Sequence, residues 1–278
     1  MRRLLVLTAV AVSAWLTLTQ DASAFKRCRR CCCVCPPPAC AAATPATPNT
    51  LTSAKGKTYR FYDSDELPLF RDEVRTESRS NRLRLFAFES RRLTTGDDFN
   101  GHDRGQAKTT WVDAPVEGFN DLGDLLQTLP SDDHMRHYNP RITRTWDSPR
   151  VAEERRNVTV TAYLYASKKE DDNDYHLILG RTETETAGTY MMTAEITGLP
   201  DGEPYRSTLT TPRNDFKAFF NGRPPGTSYR VFEDRIHVRV TGTLFYDIDH
   251  APGIVGTGDY KPETAWEIHP VTTIEFLD

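Results

Sequence analysis

The sequence predicts a mainly β protein: an OB-like five-stranded barrel with one helix between strands three and four, preceded by a helical or irregular N-terminal appendage. Three observations predict it. Residues 157–276 read strand, strand, strand, helix, strand, strand. The first of these strands alternates, with Val158, Val160, Ala162 and Leu164 set against Thr159, Thr161, Tyr163 and Tyr165. Two dense signatures, Asp172-Asn173-Asp174-Tyr175-His176-Leu177 and Trp266-Glu267-Ile268-His269-Pro270-Val271, mark a hairpin and a closing strand.

The elements follow in order. Strand one covers 157–167 and strand two 175–180, with Tyr175, Leu177 and Leu179 inward. Strand three covers 190–197. The helix is expected over 212–221, where Thr211 suits the N-cap, Pro212 the first helical position and Gly222 the stop. Phe216, Phe219 and Phe220 form its buried face. Strand four, 235–248, is long enough to bend, with Gly242 as the bend point, and Pro270 should mark a kink or an edge within strand five, 265–276.

Upstream, residues 1–24 read as a signal peptide: Arg2 and Arg3, an apolar run from Leu4 to Leu18, then Ala22-Ser23-Ala24. That run is short for a membrane span, and no later stretch reaches the ~20 apolar residues needed, so no transmembrane segment is expected after cleavage. A secreted or periplasmic location in a bacterial envelope follows. Residues 25–54 form a Cys/Pro/Ala/Thr-rich leader and linker. Residues 55–150 are an appendage, with short strands at 57–62 and 82–88, a charged stretch at 63–79 and a long loop at 94–108. A short helix near 120–129 carries Leu122, Leu125, Leu126 and Leu129 on one face, which should dock on the barrel of residues 151–278.

All six cysteines lie between Cys28 and Cys40, so disulfides cannot staple the folded body. Cys28, Cys31, Cys32 and Cys35 have the spacing of soft-metal ligands; an oxidised or cross-linking tether and a low-complexity leader without function are the other readings. Charge argues about partners. Six of the 35 basic residues but one of the 39 acidic ones fall within residues 1–40, leaving 29 against 38 in the remainder. That sign disfavours nucleic acid as the ligand.

OB barrels bind through strands two and three and the loops joining one to two and four to five. Here those loops are 168–174 and 249–262, acidic or neutral. Asp171, Asp172 and Asp174 could hold Ca²⁺, although the EF-hand spacing is absent. Alternation sets His176 opposite in facing to Leu177, and Asp247, Asp249, Glu267 and His269 opposite Ile248 and Ile268. Asp174, His176, Asp249, His250, Glu267 and His269 are therefore the candidate binding or polar cluster, able to take Zn²⁺ or to orient a general base. No catalytic residue is assigned, and Ca²⁺ and Zn²⁺ are the only cofactors entertained.

With these residues laid out, the chain resembles an uncharacterised group of exported bacterial proteins. The resemblance covers about 120–278 and rests on Leu125-Leu126-Gln127-Thr128-Leu129-Pro130-Ser131-Asp132 and the two signatures above. It implies an OB-like fold and brings no activity. The functional expectation is an exported binding or interaction module, engaging a protein or small ligand through loops 168–174 and 249–262. The alternatives are a metal-dependent hydrolase or nuclease on the same barrel, and an envelope component tethered by its Cys-rich leader. Convergence of the candidate side chains within metal-ligand reach would favour the metal-dependent reading; dispersal over the surface would remove it.

Overall fold

The structure is a computed structural model that describes residues 48–64, 96–185 and 190–277, all within one compact unit, Pro45–Asp278. The expected signal peptide, the cysteine run and the strand at 82–88 lie outside the described residues.

The described residues are mainly β. Eight strands form one mixed sheet: β1 (Asn49–Thr52), β2 (Thr58–Asp63), β3 (Val116–Phe119), β4 (Asn157–Lys169), β5 (Tyr175–Gly180), β6 (Met191–Ile196), β7 (Arg230–Tyr246) and β8 (Trp266–Phe276). The order is β1-β2-β7-β8-β6-β5-β4-β3, and β7 also pairs with β4. The β3–β4 and β6–β8 pairs are parallel and the others antiparallel. Among the described residues four α-helices accompany the sheet: α1 (Gly105–Lys108), α2 (Leu122–Leu126), α3 (Asp132–Arg136) and α4 (Tyr205–Phe219). No helix among the described residues is long and apolar enough to cross a membrane.

Strand alternation builds the core. Val158, Val160, Ala162 and Leu164 of β4 meet Leu177 and Leu179 of β5, Ala194 and Ile196 of β6, Ile236, Val238 and Val240 of β7, and Ile268 and Val271 of β8. Phe216 and Phe219 of α4 and Phe220 at its C-cap join the same cluster, as do Leu122 and Leu125 of α2 and Met135 of α3. Each such side chain contributes roughly 1.5–3 kcal/mol by leaving water. Gly242 sits where the β7–β8 register shifts, and a Cβ there would come 2.3 Å from the Pro270 carbonyl oxygen. Only a glycine lets β8 approach so closely at its proline.

Several expected boundaries move. The long helix begins at Tyr205, well before Pro212, which lies inside it and is buried. Its polar first turns are held by local bonds that composition does not reveal. The Ser207 amide donates to the Glu203 carboxylate (3.1 Å), Thr210 Oγ1 to the Arg206 carbonyl (2.7 Å), and Arg206 to Asp98 (2.7 Å). Strand β7 starts at Arg230 rather than 235, because Arg230–Phe232 pair with β2 and Arg230 and Val231 also meet the end of β4. The expected loop at 94–108 ends in helix α1, and β1 lies in the stretch whose composition reads as linker.

Candidate metal centre

The alternation that fills the core sends the intervening residues to the other face of β5, β6 and β8. With Leu177, Ala194 and Ile268 in the core, His176, Glu195, Glu267 and His269 point the opposite way. The β5–β6 register sets His176 directly opposite Glu195, and the β6–β8 register sets Thr193 beside Glu267. Asp174 immediately precedes β5 and Asp247 immediately follows β7. Glu170 and His250 come from the loops beyond them.

This face is covered by the segment before α1 and by α1 itself. The Asn100 amide donates to the Asp172 carbonyl and Asn173 Nδ2 to the Asp98 carbonyl (2.9 and 2.6 Å). Two buried arginines clamp the cover in place. Arg104 makes a two-pronged pair with Glu154, both contacts at 2.7 Å, and donates to the Tyr246 carbonyl (3.0 Å). Arg150 donates to the carbonyls of Leu244 (2.6 Å), His269 (2.7 Å) and Ala107. Both guanidinium groups lie over the ring of Phe245, which also meets the Lys108 ammonium and the His269 imidazole.

Beneath this cover the side chains converge. Glu195 stands in the middle: its Oε1 is 2.9 Å from His176 Nδ1 and its Oε2 is 2.9 Å from His269 Nδ1. Glu170 Oε1 lies 3.6 Å from His176 Nδ1, and Glu267 Oε2 lies 3.5 Å from His269 Nδ1. Asp174 Oδ2 is 3.3 Å from His269 Nε2, and Asp247 Oδ2 is 2.8 Å from His250 Nδ1. Three contiguous groups result, each with ligand-capable atoms within 4.8 Å of one another: Glu170/His176/Glu195, Asp174/Glu195/His269 and Asp247/His250/Glu267.

Six buried atoms of these groups lack a hydrogen-bond partner: Asp174 Oδ2, His176 Nε2, Glu195 Oε2, His250 Nδ1, Glu267 Oε2 and His269 Nδ1. Glu195 Oε2 and His269 Nδ1 are close, but out of line for a hydrogen bond. The other ring nitrogen of His269 is fixed. Thr197 Oγ1 donates to the Lys108 carbonyl (3.0 Å), so its oxygen is left to accept from His269 Nε2 (2.6 Å). A proton on Nε2 leaves Nδ1 of the neutral ring with a bare lone pair, turned toward Glu195 and Glu267. A carboxylate facing a lone pair requires a proton or a metal cation between them.

The electrostatics of the cation-free chain follow from burial and crowding. Burial would lower His269, but Glu195 beside it, with Asp174 and Glu267, raises it well above its usual range. Burial would raise Glu195, yet the two imidazoles hold it well below. Burial and then Asp174 push Asp172 well above the ordinary carboxyl value, and burial and then Glu195 push Glu267 up to about 7. Against its own desolvation, His250 is held at about 10 by Asp247. Lys108 is raised likewise, by Asp247, Glu195, Asp172 and Glu267.

The well has a floor and a mouth. Asp174 and His269 are fully buried and Glu195 is 2% exposed, whereas Glu170 is 23% and His250 30% exposed. The loops at 168–174 and 249–262 therefore border its opening.

Of the residues expected from sequence, Asp174, His176, His250, Glu267 and His269 meet in the well. Asp249 does not: it turns away to an ion pair with Arg144. Asp171 is exposed, and Asp172 accepts the Asp174 amide (3.2 Å) at the mouth. Cys28, Cys31, Cys32 and Cys35 lie outside the described residues. Sequence reasoning passed over Glu195 and Lys108. The available signal for Glu195 was a carboxylate set by alternation opposite Ala194 and Ile196, on the same face as Thr193 and Thr197. Lys108 carried none.

Comparison of the chain with protein-family models, curated proteins and solved structures finds no match in any of the three.

Proposed function

We propose that this chain is an exported, OB-like barrel that binds a divalent transition-metal ion in the well. The barrel reading draws on a circuit of pairings, β4–β5, β5–β6, β6–β8, β8–β7 and β7–β4, with α4 between the third and fourth of these strands in chain order. On that reading the well occupies the face and borders the loops with which such barrels hold ligands. Export is read from the basic, apolar and small-residue pattern of residues 1–24.

One observation carries the ligand. Asp174 Oδ2, Glu195 Oε2 and His269 Nδ1 are buried, converge and have no hydrogen-bond partner. Each such atom costs about 1–3 kcal/mol if left unmet, and a cation among them would satisfy all three. Mixed imidazole and carboxylate donors suit Zn²⁺, Mn²⁺ and related ions better than Ca²⁺, which takes oxygen alone.

The test is thermal unfolding of the chelator-stripped full chain with Mn²⁺, Zn²⁺ or Ca²⁺. Mn²⁺ and Zn²⁺ should raise the midpoint as concentration rises, and His269→Ala should cancel the rise due to Mn²⁺. A flat response to all three ions would sink the proposal.

A second reading, metal-assisted hydrolysis, is favoured by the half-open mouth, because catalytic metal sites keep a coordination position free for water or substrate. Asp172, pushed well above the ordinary carboxyl range in the cation-free chain by burial and then by Asp174, would stand at that mouth as the candidate proton donor to a leaving group. The Mn²⁺-loaded chain should then turn over members of a panel of phosphate and carboxylic esters. Rates equal to those of His269→Ala would leave ion binding alone.

A further inference from the structure

The geometry points to a centre for two ions rather than one, with Glu195 as the carboxylate that bridges them. This deepens the metal-binding reading above and rests on it. The two oxygens of Glu195 are divided between two histidines: Oε1 faces His176 Nδ1 and Oε2 faces His269 Nδ1, both at 2.9 Å. Each histidine brings a further carboxylate of its own. Glu170 completes the first set, and Asp174, with Glu267 3.5 Å from His269 Nδ1, completes the second. Two sets of ligands thus share a single residue, the arrangement in which a carboxylate joins neighbouring ions about 3.5–4 Å apart.

A crowd of acids alone would not carry this. Glu195, Asp174 and His269 are at most 2% exposed, and the atoms they turn into the second set lack partners. Thr197 supplies the outer support: by accepting a hydrogen bond from His269 Nε2 it commits Nδ1 to the Glu195 side. His176 is oriented from behind as well, its ring set edge-to-face against Tyr229 at 5.9 Å, so that Nδ1 is the nitrogen turned to the oxygens. The third group differs. His250 and Asp247 form an ion pair 2.8 Å apart, His250 is 30% exposed, and the group does not include Glu195, so it lies outside the bridged pair.

The probe that tests this is Mn²⁺ added to the chelator-stripped full chain. Six cysteines in the leader would confuse a Zn²⁺ titration, whereas Mn²⁺ prefers oxygen and imidazole donors. Wild-type protein should take up two equivalents, and its electron paramagnetic resonance should show exchange-coupled Mn²⁺ rather than isolated six-line signals. Glu195→Gln should weaken both equivalents together, by at least the roughly ten- to hundred-fold that loss of even an outer-shell partner costs. Glu170→Gln should weaken one equivalent and leave uncoupled Mn²⁺ in the other. One equivalent in the wild type, or two without coupling, would overturn the bridged pair and leave metal binding intact; no uptake would overturn both. The wild-type measurements decide the matter even if a variant fails to fold.

Discussion

The two faces of β5, β6 and β8 are made by one alternating pattern and held together by opposite physics. On one face Leu177, Ala194 and Ile268 exclude water, and any apolar side chain of similar volume would serve. On the other, His176, Glu195, Glu267 and His269 lie as deeply buried, but their positions are fixed by a few directed contacts. The core is stable by accumulation. The well is kept in shape from outside, by arginines that grip carbonyls of β7 and β8 and of the covering segment. A face so rich in buried carboxylates would not persist in a metal-free fold without that outer frame.

The comparison can be broken most severely at the frame. Arg104→Ala would leave Glu154 buried and unpaired, and the loss should be about 3–5 kcal/mol. Urea unfolding should show it, along with faster amide exchange at the cover segment, Asn100 and Thr109 included. An unchanged midpoint would mean that the frame is ornamental. Next in size is Leu177→Ala, one residue from His176 and facing the other way. It should cost about 2–5 kcal/mol by cavity formation yet leave Mn²⁺ affinity within a few-fold while the protein is folded. A matching loss of affinity would show that the faces are not separable.

The smallest effect should be a change in pH dependence. Glu267 is raised from 4.5 to about 7, mainly by burial and then by Glu195, so between those values the folded chain holds a proton that the unfolded chain releases. Its contribution makes stability fall as pH rises through that window and level off above it. Glu267→Gln carries no titrating proton, so its metal-free stability curve should be flatter between pH 4.5 and 7. An identical slope in both proteins would assign the effect elsewhere.

Much of this was legible in the chain. Periodicity alone placed Val158–Leu164 and Leu177 in the core and gave the facing of His176, Glu267 and His269, because strand alternation is strictly local. The depth of the well was not legible, since it depends on which strands are neighbours. Glu195 becomes a partner of His176 only through the β5–β6 register, and Lys108 reaches the carboxylates only because Arg104 and Arg150 fasten α1 over them. Asp249 shows the converse. Its sequence position suits the cluster, but the turn after β7 ends the alternation and hands it to Arg144. Helix α4 began early for the same kind of reason, since Glu203 and Asp98 stabilise its first turns from outside the helical pattern.

Arg150 carries one more consequence. Its single guanidinium touches β7 at Leu244, β8 at His269 and the covering segment at Ala107, and it lies just ahead of the run of strands that looks self-sufficient in the sequence. A fragment cut at residue 151 would keep β4–β8 with α4 and discard this joint together with Arg104 and Lys108. Such a truncation should serve the crystallographer poorly as a minimal version of the protein: it would retain the ligands by name and lose the hand that holds them in register.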